Sequence, residues 1–258
     1  MNARRAPLPF EFARSSALNA GRSLVHRWLA AAERDLPPDF ADASIVAEAV
    51  VLPPVDAFAA TFVSGCSNGA DLTLDFVTAR GQLVVGYRDD PSGGRLTGAR
   101  FSPAAAHADL SGVDAWTHNR VHAFAHRWLW AWEQTTQDDR FAGLIDPAGR
   151  DAALEELLHA HDGYRATHHA LQSLSFALRA ERYEVSAVVD WRGESAGGTP
   201  LRARTQQRLT LHERGGRYPL LERLAIDVLH PLEPDLPEPD EHPELASAPS
   251  DDAESGGA

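Results

Sequence analysis

The chain carries one short segment twice. Val25-His26-Arg27-Trp28-Leu29 returns as Ala125-His126-Arg127-Trp128-Leu129, and the pattern of Leu72–Arg80 is echoed by Leu174–Arg182. Both pairs lie about 100 residues apart, a domain-sized offset rather than the short period of a solenoid. Two diverged copies of one fold, joined head to tail, are therefore expected within 258 residues. Each would be long enough to bury a core of its own.

Charge narrows the partners. The formal net charge is −13, but nine of the acidic residues lie from Glu233 onward, in a stretch with no Arg. Removing them leaves a body near −4. Such a body lacks the basic face that nucleic acid requires, and it is not drawn to anionic lipid. There is no lysine, which excludes Schiff-base chemistry and a lysine base. The single cysteine, Cys66, excludes an internal disulfide framework and a Cys-rich metal or iron–sulfur site. The start, Met1-Asn2-Ala3-Arg4-Arg5, has no apolar run behind it, and no stretch approaches a membrane span. A soluble cytoplasmic protein is the expectation.

Local patterns set the organisation. Residues 1–13 read as a flexible arm. Ser15 or Ser16 caps a helix reaching about Asp35, where Leu36-Pro37-Pro38 stops it. Ile45–Leu52 fits a short helix or a strand. Strand-like runs follow at 58–63, 72–78, 83–87 and 96–101, with Ser64–Gly69 and Asp90–Gly94 as turns. Residues 102–113 link the halves. A second helix over about Asp114–Thr136 precedes a helical turn at Phe141, a break at Asp146-Pro147 and a helix near 150–159. Long strands at 166–179, 182–192, 200–213 and 217–230 complete the pattern, with glycine turns suited to hairpins. Helices followed by an antiparallel meander make an α+β fold, its curved sheet closing over the helices around a pocket. The domains are then a first α+β unit at 14–113, a second at 114–231, and a disordered acidic, Pro-rich tail at 232–258.

The second half resembles the nuclear transport factor 2-like superfamily, in its SnoaL-like branch. The resemblance rests on Arg127-Trp128-Leu129-Trp130-Ala131-Trp132 with Phe141–Asp146, on Thr167-His168-His169 with Val188–Gly193, and on the closing hairpin Arg204–Arg223. It implies a cone of curved sheet and helices around an apolar cavity, here duplicated. It also implies pairing through sheet faces, as an internal pseudo-dimer or a homodimer. Family members include isomerases, dehydratases, cyclases and non-catalytic binding modules, and the enzymes often use an Asp–His arrangement facing the cavity.

His168 and His169 open a strand and point to opposite faces. His168 is taken as the inward one and as the acid/base, because imidazole exchanges a proton near neutral pH. Asp146 sits where the resemblance places a pocket carboxylate and would be its partner. Tyr164 would donate to a substrate carbonyl, and Trp128, Trp132, Phe141, His169 and Trp191 would line the pocket. The expected ligand is a small apolar carbonyl compound, handled without a cofactor by proton transfer. The alternative is a non-catalytic small-molecule binding or association module. His118, His122 and His126 form one helical stripe. Two such residues can share a zinc ion, but a half-exposed boundary stripe is the preferred reading and no metal is assigned. Trp130, opposite the apolar face, needs a cover. Gly65-Cys66-Ser67-Asn68-Gly69 spells a nucleophile elbow, but a strand pattern follows where a helix is required, so it reads as a hairpin turn. Arg202, Arg204 and Arg208 alternate on one strand face, as a solvated or interface stripe.

Overall fold

The computed structural model describes residues 9–30, 59–89, 94–103, 110, 113–134, 140–148, 152–214 and 218–235. The reading of Ile45–Leu52, the helix end near Asp35, most of the linker and the tail from 236 on lie outside these residues. A short α1 (Phe10–Ala13) and a long α2 (Ser15–Ala30) precede a four-stranded sheet of β1 (Ala60–Asn68), β2 (Asp71–Thr78), β3 (Gly81–Arg88) and β4 (Arg95–Pro103). Helices α3 (Ala115–Glu133) and α4 (Ala152–Asp162) precede a second sheet of β5 (Arg165–Arg179), β6 (Arg182–Glu194), β7 (Pro200–His212) and β8 (Leu220–Pro234). Each sheet is an antiparallel meander in chain order. The α+β expectation holds at that level. No helix among the described residues is long and apolar enough to cross a membrane.

Local chemistry explains the elements. Leu72, Leu74 and Phe76 on β2 alternate with polar neighbours and meet Leu83, Val85 and Tyr87 of β3 in a core that also takes Leu18, Val25 and Leu29 from α2. Tyr183, Val185, Ala187 and Val189 of β6 do the same in the second half, under Val121, Phe124, Trp128 and Trp132 of α3. Asp114 caps α3 by accepting from the Trp116 N–H and the Thr117 hydroxyl.

Several boundaries differ from expectation. Part of the arm is helical, and Phe12 is buried beneath the Arg192 guanidinium. Residues 64–68 extend β1 instead of turning, with the reversal at Gly69-Ala70, so Cys66 is an exposed strand residue. β8 runs on to Pro234, because Arg202 holds Glu233 and Arg192 holds Asp235. The Leu72–Arg80 and Leu174–Arg182 segments are not equivalent. The first is the second strand of its sheet and the second belongs to a first strand; both are simply an alternating strand entering a turn.

The repeat of Val25–Leu29 is of another kind. α2 and α3 pack antiparallel and exchange hydrogen bonds reciprocally. His26 Nδ1 meets Asn119 Oδ1 at 2.9 Å, and His126 Nδ1 meets Asn19 Oδ1 at 3.2 Å. Near the middle, Ser23 Oγ donates to the Ala123 carbonyl at 2.8 Å. The halves therefore meet through helices, where sheet faces were expected. A helix pair can bury a polar seam while leaving each apolar face to its own sheet.

Candidate functional site

The expected pocket-lining aromatics are packed against each other. Trp128, Trp132 and Phe141 form a buried triangle with ring centroids 5.1–5.4 Å apart, and the Trp128 indole N–H donates to Gln207 Oε1 at 3.0 Å. Tyr164 stands edge-on to Trp191, 5.1 Å away. Trp130 is half-buried beneath the Arg127 guanidinium, 3.7 Å from its ring centre. Arg202, Arg204 and Arg208 are ion-paired with Glu233, Asp190 and Asp227 on a solvated face.

The paired histidines of β5 exchange the roles expected of them. His169 is the buried one, and His168 is half-buried with Nδ1 3.1 Å from Ser15 Oγ. A β-bulge decides this. Leu171 pairs with Val189 and Ser173 with Val188, leaving Gln172 as the extra residue. The bulge switches parity, so Leu171 before it and Leu174 and Phe176 after it all pack on the core. His169, on the face of Leu171, turns in toward Glu133 of α3.

Asp146 is buried, as a pocket carboxylate should be, but His168 is not its partner. Ile145 forms a parallel bridge to Leu221, and the Asp146 N–H donates to the Leu221 carbonyl, which seats the loop against β8. Asp146 Oδ2 then lies 2.9 Å from His212 Nε2 and 2.9 Å from Arg214 Nη2, while Oδ1 accepts from the Ala148 N–H. His212 Nδ1 faces Glu222 Oε2 at 3.9 Å, and Glu222 is held by Arg182. These groups line a cleft of about 660 Å³ at the end of the second sheet, with Leu178 and Tyr183 on its wall. Burial and Glu213 raise the Tyr183 phenol, and its O–H donates to Glu213 Oε1 at 3.2 Å.

No protein-family model matches this chain, and no curated protein sequence does. Among solved structures, the Kfla4162 protein from Kribbella flavida is similar with a TM-score of 0.37 and 11% identity, over 44% of this chain and 90% of that one. Bd1075 from Bdellovibrio bacteriovorus is similar with a TM-score of 0.36 and 12% identity, over 55% of this chain and 50% of its own. The chain thus spans half the length of Bd1075.

The cleft is more charged than the apolar pocket anticipated. Chemically, the Asp146 carboxylate stands against one imidazole nitrogen of His212 whose N–H is not aligned for a hydrogen bond, so a small rotation of the ring is needed to orient it as a general base. No sequence pattern flagged His212. It ends β7, and only the fold of a distant loop brings Asp146 to it.

A second polar cluster lies in the α2–α3 seam. The expectation of a half-exposed stripe fails here: His118 and His126 are buried, and His122 is half-buried. His26 joins them from α2, stacked on His122 at 4.8 Å. His118 Nε2 donates to the Ala60 carbonyl at 2.9 Å. Burial lowers all four imidazoles, His26 to about 3, so they are neutral.

Proposed function

We propose that the protein is a SnoaL-like, cofactor-free proton-transfer enzyme of the isomerase, dehydratase or cyclase kind. In this reading the halves are diverged copies of one cone-like unit, and the second copy keeps the site. The observation that carries it is the 2.9 Å contact of His212 with the buried Asp146 at the wall of an open cleft. His212 takes a proton from carbon next to a substrate carbonyl. Asp146 stands beside the ring to stabilise the imidazolium, while the Tyr183 hydroxyl donates to Glu213 Oε1 on the same wall. The charged lining favours a small carbonyl compound with a polar or anionic end.

The test is α-proton exchange in D2O, followed by NMR, over a panel of small keto acids and cyclic ketones. The wild-type protein should speed exchange for one class, His212→Ala should abolish it, and Asp146→Asn should slow it by about 10²–10⁴-fold. Binding without exchange across the panel would overturn the enzyme reading. It would favour the non-catalytic module, which the filled aromatic interior of the second half also supports.

A further inference from the structure

We propose that His26, His122 and His126 form a three-histidine site for a divalent transition metal, Zn²⁺ foremost, in the seam between the two halves. One ring nitrogen from each of the three lies within 4.8 Å of the others. Tetrahedral Zn–N bonds of about 2.1 Å place ligand nitrogens about 3.4 Å apart. Small rotamer adjustments therefore close the site.

The hydrogen bonds around the seam prepare these rings. Asn19 Nδ2 donates to the His169 carbonyl at 3.0 Å, which commits its Oδ1 to accept from His126 Nδ1. His126 is thereby the Nδ1–H tautomer, with its lone pair on Nε2. Asn119 Oδ1 does the same for His26, whose Nε2 is fully buried and has no hydrogen-bond partner. A metal-bound imidazole characteristically donates its other N–H to an oxygen acceptor, and both arrangements supply one. Buried neutral imidazoles also need no deprotonation before they bind.

The third ligand comes from asymmetry. His122 stands on α3 where Arg22 stands on α2, one turn before the repeated histidine in each helix. His122 is the half-buried member and offers the route in. Arg22 is half-buried on α2, and its charge opposes protonation of His26 and His126. It opposes a bare cation in the same way, so the fourth ligand is an anion such as hydroxide, chloride or a ligand carboxylate. Three imidazoles suit Zn²⁺, and Co²⁺ is its spectroscopic stand-in.

The experiment uses the full chain, stripped with EDTA and desalted, and titrated with CoCl2 by visible absorption and with ZnCl2 by calorimetry. Expected are one metal per chain, the intense visible bands of four-coordinate Co²⁺, and their loss on adding Zn²⁺. His122→Ala, at a half-buried position, should keep the wild-type circular dichroism and lose the bands. Asn119→Ala should weaken binding by about 10–100-fold, and His230→Ala on β8 should change nothing. In the wild-type chain, ¹⁵N NMR should show a shift of the His26 Nε2 resonance on Zn²⁺ addition, which requires no variant to fold. Metal binding that survives His122→Ala, or a wild-type chain with no Co²⁺ bands and an unmoved His26 resonance, would overturn the proposal.

Discussion

His169 donates its main-chain N–H to Glu133 Oε1 at 2.6 Å, and its ring Nδ1 stands 3.4 Å from the same oxygen. This contact ties the first strand of the second sheet to the end of α3. Both groups are buried, so their ionisation is linked to folding.

Burial raises the Glu133 carboxyl from 4.5 to about 8, against the opposing hydrogen bonds from His169, Ser15 and Asn19. The folded chain therefore holds this proton more tightly than the unfolded chain. Its contribution is fully present below the unfolded value of 4.5 and is lost as pH rises through 8. His161 and His169, lowered by burial from 6.5 to about 3, act in the opposite sense and lose stability as pH falls from 6.5 toward 3. Glu133→Gln should flatten the alkaline limb of stability by on the order of a few kcal/mol and leave the acid limb in place. Urea unfolding across the pH range checks this. Parallel curves for the two proteins would reject it.

The reciprocal asparagines should each matter. Asn119→Ala strands the buried His26 Nδ1 and should cost about 1–3 kcal/mol. Asn19→Ala removes the donation to the His169 carbonyl and the bond to Glu133 together with the His126 contact, and should likewise cost about 1–3 kcal/mol or more. Denaturant midpoints of the two variants, measured without metal, check this; unchanged midpoints would show that the seam bonds contribute nothing.

The β5–β6 turn carries strain. Ala180 and Glu181 both have positive φ, at 46° and 66°, as a tight hairpin turn demands and side chains resist. Glu181→Gly should stabilise the protein by about 1 kcal/mol. A thermal melt that moves down would contradict it.

Gly21 tests close packing against helix propensity. Alanine is favoured over glycine inside a helix by about 1 kcal/mol. A Cβ at Gly21 would lie 2.8 Å from Leu74 Cδ1 and 3.1 Å from the Tyr87 ring, both fully buried. Overpacking a core costs about 1–3 kcal/mol. Gly21→Ala should therefore destabilise, and a gain in stability would show that Leu74 can move aside.

Much of the secondary structure was legible because its causes are local. Alternation at Leu72, Leu74 and Phe76 fixes a strand, Asp114 fixes a helix start, and a stripe of Val121, Phe124, Trp128 and Trp132 fixes a buried face. The repeated His-Arg-Trp-Leu segment pointed to helices in equivalent positions. It did not say that they would face each other, since a sequence repeat carries no information about which surfaces meet. The sites were read less well. Period-two counting puts His168 with Leu174 and Phe176, and one inserted residue at Gln172 reverses that assignment.

The amino-acid sequence by itself determined the order of helices and strands, the buried face of most of them, and the chain break at Asp146-Pro147. Tertiary structure decided who meets whom: Asp146 with His212, His169 with Glu133, and His26 with Asn119. The reason is physical. Backbone propensity and amphipathic period act over a few residues, whereas these polar groups are forced together by burial between segments that are remote along the chain, where each must find a partner or forfeit its solvation.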